Sequence, residues 1–413
     1  MTANRVAANR MSRREWSWVV YDVGNSAFVM FATAVLPIYY STLSEGSTVV
    51  EWGLAETIAA LIVALLMPFL GSLADYRKNK KKFFIGAAGT GIVACLALGI
   101  PSTALPFLAI YIVASVGLNG SMVFYDAFLV DVTEPKNYDS VSSKGYAWGY
   151  IGSLIPFLAC IALIFAGEAI GISTELGIKL SFIITAAWWL VFTLPLIKNV
   201  HQTHFKPTES HEMRKALVGL VATIRRIVSD RRILLFLLAF FCYIDGVHTI
   251  IKMATSFGTD LGIDSMQLVL ALVVTQVVAF PAALMFGRLA RRFNTRSLLI
   301  VSVCAYALIT LFAAFFLKSA REFWILAIAV GLFQGGIQAL SRSYFGRLIP
   351  PQRANEYYGF FDIFGKYAAI LGTFLVSSFT YLTGNPSWGI LSVTLLFILG
   401  LVFLVMMPGN REE

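Results

Sequence analysis

Residues 54–82 read LAETIAALIVALLMPFLGSLADYRKNKKK. Between Leu54 and Ala74 the one ionisable side chain is Glu56, close to the start, whereas between Arg77 and Lys82 five of the six side chains are basic. An apolar run of about 20 residues, wound as a helix, crosses a hydrocarbon layer of ~30 Å, and a block of cations cannot follow it in. The stretch is therefore a membrane span that ends in a basic loop in water. The rest of the 413 residues agrees: 58% of the side chains are hydrophobic, 13% are charged, and the mean hydropathy is +0.76. A soluble domain carries about 45–50% apolar and about 25% charged residues. The solvent of this chain is lipid.

The same reading predicts twelve spans, near 16–43, 54–74, 82–100, 105–132, 140–167, 178–197, 232–258, 264–290, 296–317, 322–348, 354–382 and 387–407. Of the 32 Lys and Arg residues, 27 fall to the N-terminus and the loops on its side. Three (Lys179, Lys318, Arg321) fall to the opposite loops, and Lys252 and Lys366 lie within spans. Basic loops stay in the cytoplasm, which places both termini and the polar segment 198–231 there. The net charge of +9 is thus a topology signal and not a nucleic-acid footprint. The first span follows a basic N-terminus but holds Asp22 and Asn25, which marks a retained helix and not a cleaved leader. Compact loops without a targeting extension point to a bacterial cell membrane.

Cys95, Cys160, Cys242 and Cys304 all lie in apolar runs and read as small buried side chains, without disulfide or zinc spacing. His201, His204 and His211 read as part of a solvated linker, and Arg225, Arg226, Arg231 and Arg232 as an anchor on anionic lipid. With no metal motif, Walker loop or nucleophile elbow, neither an enzyme nor a cofactor is expected.

The chain repeats itself once. Gly71-Ser72-Leu73-Ala74-Asp75 follows the second span, and Gly287-Arg288-Leu289-Ala290-Arg291 follows the eighth, 216 residues later. Asp22 in the first span is echoed by Asp245 in the seventh, each with a Tyr just before and a Gly just after; Asp126-Ala127-Phe128 returns loosely as Gln338-Ala339-Leu340. Two six-helix halves, residues 1–197 and 232–413, joined by the linker 198–231, resemble the parallel-repeat plan of the major facilitator fold. That plan puts a binding site at mid-membrane between the halves, in a molecule expected to work as a monomer. In the repeated motif Gly71 permits close helix approach, Asp75 can accept from a neighbouring helix N-terminus, and Arg77 and its basic neighbours hold the loop in water. The resemblance implies that Gly71, Asp75 and Arg77, with Gly287 and Arg291, form a conformational latch.

Charge inside a membrane is costly and is usually kept for a task. Six such residues stand out: Asp22, Asp126, Asp245, Lys252, Asp362 and Lys366, four acids against two lysines. Protons or a cationic substrate group could supply the deficit. Helical spacing groups them. Asp22 and Asn25 share a face of the first span; Asp245, His248, Thr249 and Lys252 form a stripe on the seventh. Gln334, Gln338, Ser341 and Arg342 do so on the tenth, and Asp362 with Lys366 is an i, i+4 pair on the eleventh. A proton-coupled carrier needs a carboxylate that loads and unloads, and Asp22 and Asp245 are the candidates. Arg342 or Lys366 could hold a substrate carboxylate.

Three stretches resemble the vacuole-effluxer-like family, whose fungal member is an autophagy-related vacuolar permease. They are Tyr21-Asp22-Val23-Gly24-Asn25-Ser26-Ala27-Phe28, Gln338 to Ser343 with Arg347-Leu348-Ile349-Pro350, and Gly359 to Lys366. The resemblance implies export of amino acids by a twelve-helix carrier. Val23-Gly24 stands where the family reads Trp-Ala, and Tyr125 and Val130 also depart from its fourth-helix pattern. Within transport, the rival cargo is an amphipathic lipid or hydrophobic drug; outside it, the rival is a membrane receptor.

Overall fold

The structure is a computed structural model, and it describes residues 11–44, 48–207, 212–260, 262–367 and 370–409. Among these the regular structure is helical, with one isolated parallel bridge between Tyr76 and Lys206. The first span is two helices, α1 (Arg13–Ala34) and α2 (Leu36–Leu43), bent by 46° at Val35, where Pro37 opens the second piece. Then follow α3 (Thr48–Ala74), α4 (Asn79–Ala97), α5 (Ala104–Ala127), the short α6 (Leu129–Val132), α7 (Tyr138–Ala166) and α8 (Thr174–Asn199). The linker contributes α9 (Glu212–Ser229). Beyond it lie α10 (Arg231–Asp260), α11 (Ser265–Leu289), α12 (Thr295–Phe316), α13 (Ala320–Leu348), α14 (Ala354–Tyr367), α15 (Ile370–Thr383) and α16 (Pro386–Met406).

Nine of the described helices are long and apolar enough to cross a membrane, or ten when α1 and α2 count as one bent span. The two other expected spans appear as α4, whose first turn is crowded with lysines, and as the shorter pieces α14 and α15. Lipid on the outside removes the need for a polar face. Leu65, Val93, Leu105 and Phe374 accordingly stand exposed on helices that are apolar all round. Cys304 is exposed as well, a correction to the expectation that all four cysteines are buried.

Helices in lipid gain little from apolar burial against each other, so close packing at small residues matters. A Cβ on Gly117 of α5 would stand 2.4 Å from the Gly91 nitrogen and 2.6 Å from its Cα on α4. Gly117→Val is therefore expected to cut the yield of monodisperse protein at least tenfold, read by size-exclusion chromatography. Gly86→Ala, where nothing lies within 4 Å, is expected to leave it unchanged. A folded Gly117→Val protein would contradict the packing argument.

The repeat is visible in contacts. Tyr21 on α1 and Ser121 on α5 hydrogen bond at 2.6 Å, and Tyr243 on α10 and Ser341 on α13 do the same at 2.6 Å. The two glycine motifs also pack alike. Gly71, at the end of α3, lies against the Asn355 backbone at the start of α14, and Gly287, at the end of α11, lies against Ser143 near the start of α7. These contacts, with α13 on α7, join helices before the linker to helices after it.

Candidate transport site and latch

Arg342 projects from the last third of α13 into the protein and is 1% exposed. Its Nε donates to Ser142 Oγ at 2.9 Å and its Nη2 to the Ser142 carbonyl at 3.0 Å. Nη1 reaches Asp126 Oδ1 at 3.0 Å, and Nη2 lies 3.5 Å from Asp22 Oδ2. One cation from α13 thus meets carboxylates on α1 and α5 and a serine on α7. Aromatic rings wall it in: the guanidinium carbon sits 4.6 Å from the Trp18 ring centre, 4.4 Å from Tyr146 and 5.3 Å from Tyr125, distances at which ring quadrupoles attract a cation. Tyr125 donates its hydroxyl to Asp22 Oδ2 at 2.7 Å, and Asn25 donates to Asp22 Oδ1 at 3.3 Å. Gly145 on α7 makes room, since a Cβ there would stand 2.6 Å from Asp22 Oδ2 and 3.0 Å from Arg342 Nη2. Two carboxylates and one guanidinium share one largely shielded volume, so the cluster holds one formal negative charge too many when all three are ionised.

Asp22, Asn25, Asp126 and Arg342 are therefore brought together. Arg342, counted with the loop cations in the orientation argument, is buried, and Asp126 pairs with it. Asp245 is fully buried but lies elsewhere: its Oδ1 accepts from the Gly372 amide at 2.9 Å and from Thr249 Oγ1 at 3.3 Å. Gly372 lies on α15, so Asp245 ties α10 to α15. His248, Gln338 and Asp362 are half-buried, while Lys252 is exposed, a correction to its place among the interior charges. The side chain of Lys366 lies outside the described residues. Gln334 is buried and lines, with Thr249, Met253, Phe257, Leu268 and Phe323, an apolar cavity of about 140 Å³.

Asp75, just past α3, accepts from a helix N-terminus. Its Oδ1 takes the Asn355 amide at 2.9 Å and Asn355 Nδ2 at 2.7 Å, and its Oδ2 takes the Glu356 amide at 3.2 Å, all at the start of α14. Lys206 Nζ lies 2.8 Å from Glu356 Oε2 and 3.6 Å from Asp75 Oδ2. Burial pushes the Asp75 carboxyl up to about 6, against the pull of Lys206 and Lys80. The linker expected to be solvated is here a docked strap: Lys206 donates its amide to the Asp75 carbonyl, and the amides of Thr203 and His204 donate to Asp131 Oδ1, each at 2.8 Å. Asp131 also holds Lys80 at 2.6 Å. His204 is thus tied to Asp131, and His211 lies outside the described residues; among the latter no cluster of three or more metal-ligating side chains occurs. Arg77 is exposed, over the Phe205 ring at 5.4 Å. On the second seam Asp139 of α7 accepts from Arg347 and Ser343 of α13 and from Thr295 of α12, and Arg291 donates to Ser140 at 3.2 Å.

A family model described as vacuole effluxer Atg22 like matches residues 52–137 and 130–413. The chain belongs to this family. Within it, the MFS-type transporter YxiO of Bacillus subtilis (strain 168) is 45% identical over 415 residues, covering 98% of this chain and 96% of that one. Autophagy-related protein 22 of Saccharomyces cerevisiae (strain ATCC 204508 / S288c) is 24% identical over 438 residues, covering 95% and 80%. The major facilitator superfamily transporter FucP in its outward conformation superposes with a TM-score of 0.74 over 95% of this chain and 98% of that one, at 14% identity. The Atg22-like chain is thus an integral membrane transporter of the major facilitator fold, and not an enzyme.

Trp18, Tyr146, Ser142, Asp139, Lys206 and Glu356 were not singled out from the sequence. The signal in it that pointed to the cluster was polarity inside the spans, which singled out Asp22, Asn25, Asp126 and Arg342 on three separate helices.

Proposed function

We propose that this Atg22-like chain exports a small zwitterionic solute, an amino acid, from a bacterial cell by alternating access with proton coupling. The observation that carries the reading is the buried Arg342–Asp22–Asp126 cluster, which ties residues 232–413 to residues 1–197. In this scheme both termini and the linker 198–231 face the cytoplasm, and the molecule works as a monomer. When the halves open to the cytoplasm, Arg342 leaves its carboxylates, the guanidinium takes the substrate carboxylate, and the substrate ammonium displaces a proton from Asp22 or Asp126. When they open outward, a proton returns to that carboxylate as the substrate leaves, so proton and solute move in opposite directions. The effluxer description of the family supports the direction. The glycine motifs at Gly71 and Gly287, with Asp75, Arg77 and Arg291, serve as the latch.

The test is transport by purified protein in proteoliposomes under an imposed pH gradient, against a panel of radiolabelled amino acids. Gradient-driven flux of at least one amino acid supports the reading; flux that ignores the gradient removes the proton. Asp126→Asn is expected to reduce gradient-driven flux about tenfold or more while leaving substrate exchange, which needs no net proton movement, within a few-fold of the natural chain. Asp245→Asn is expected to keep the pH dependence, since Asp245 bonds to Gly372 and Thr249, apart from the Arg342 cluster. Loss of that dependence would move the coupling role to Asp245.

The apolar cavity beside Gln334 favours a second reading, transport of an amphipathic lipid or hydrophobic drug. Competition by such compounds, with no amino acid transported, would select it.

A further inference from the structure

On the face that carries residues 75–82, two surfaces play no part in the reading above. The first belongs to α9, which packs on α3 and α10. Its buried side presents Ile227 and Thr223, and the Thr223 hydroxyl donates to Glu356 Oε1 at 2.5 Å. Its other side presents Val221, Ile224 and Val228, which are 71%, 49% and 58% exposed. These three stand at i, i+3 and i+7 and make one stripe. The second surface is an open groove where α9 turns into α10, lined by Arg226, Arg231 and Arg232 together with Asp230, Leu348 and Tyr357. Asp230 is committed to α10, its Oδ1 accepting from the amides of Arg232 at 2.9 Å and Ile233 at 3.2 Å. Among the described residues that line the groove, three guanidinium groups stand with one carboxylate, which serves as a helix cap. Arg226 spends one of its five donors on Thr223 and Arg232 holds the Gly409 carbonyl at 2.9 Å, which fixes both heads at the groove.

An apolar stripe with arginines beside it has a solvent only where hydrocarbon meets phosphate. Because Asp230 alone separates α9 from the span α10, the end of α9 is held at that boundary. We propose that α9 lies in the membrane interface and that the groove binds the phosphate of an anionic phospholipid. Arg226, Arg231 and Arg232 hold the phosphate, and Val221, Ile224 and Val228 sit in the acyl region beside it.

The full chain, purified in neutral detergent with equal amounts of dioleoylphosphatidylglycerol and dioleoylphosphatidylcholine, is examined by native mass spectrometry. The glycerol lipid is expected to be retained about tenfold over the choline lipid, since basic side chains near an anionic surface each favour it by an amount of that order. Arg226→Gln/Arg231→Gln/Arg232→Gln is expected to bring the ratio to near one. Val221→Ser/Ile224→Ser/Val228→Ser is expected to lower retention of the glycerol lipid several-fold at unchanged thermal unfolding. Should the triple arginine variant fail to fold, the exposed single substitution Arg231→Glu carries the test and is expected to lower the ratio at least threefold. Equal retention of the two lipids by the natural chain, or an undiminished ratio in the arginine variants, overturns the proposal. So does displacement of the lipid by millimolar sn-glycerol 3-phosphate, which would mark a soluble-anion site.

Discussion

Arg342→Gln is expected to abolish transport in proteoliposomes and to destabilise the protein by about 3–5 kcal/mol, the range for removing one partner of a buried ion pair. The substitution leaves Asp22, whose side chain is 5% exposed, and the half-buried Asp126, at 16%, beside each other without their cation. The size of the loss depends on the acids. Arg342→Gln/Asp22→Asn/Asp126→Asn, which has no uncompensated charge, is expected to recover most of the stability in a denaturant titration and none of the transport. If the triple variant is as unstable as the single one, the cluster is not held together by charge. If the single variant transports normally, Arg342 is no part of the pathway.

The second large effect is at Asp75. In Asp75→Ala three donors lose their acceptor at once, the amides of Asn355 and Glu356 and the side-chain amide of Asn355. Each buried donor left unsatisfied costs about 1–3 kcal/mol. Opening that face of the molecule hydrates these donors, so the variant is expected to shift toward the open form by roughly a hundredfold, 1.4 kcal/mol being tenfold. Two seams close the same face, and Ser140 is buried in the other one beside Arg291. A cysteine at Ser140, in a background without other cysteines, should then react with an impermeant maleimide about a hundred times faster when Asp75 is Ala. An unchanged rate would dispose of the latch.

The same carboxyl predicts a pH effect. Its value in the closed form is about 6 against an ordinary 3.8, so closure takes up a proton. Protonation favours the closed form fully below pH ~4, and this contribution disappears as pH rises through about 6. Labelling at Ser140→Cys, taken relative to an exposed cysteine so that the pH dependence of the thiolate cancels, should accelerate over that window, and Asp75→Asn should flatten the ratio.

Much of this was legible in the residues. Apolar runs and the one-sided distribution of Lys and Arg reveal spans because lipid rejects charge wherever the helix goes, whatever the tertiary packing. The glycine motifs were legible because only a missing side chain allows Gly71 to touch the Asn355 backbone. What lipid hides is orientation around the helix axis. A span is apolar on every side, so nothing in the sequence distinguishes exposed Cys304 from buried Cys95. Arg342 is legible as a polar residue on the tenth span, but its partners are not, because its burial depends on carboxylates two hundred and more residues away. The strap around Lys206 was unreadable for a similar reason: its partners, Asp75, Asp131 and Glu356, come from three separate parts of the chain.

Arg342 lies after the linker, and the two carboxylates that it meets lie before it. Two first halves would carry these acids without a cation, and two second halves the cation without an acid, so only the mixed pair is complementary there. Cutting the gene within the linker and co-expressing the pieces should therefore favour heterodimers, because charge at one point of the seam does part of the sorting that covalent fusion otherwise guarantees.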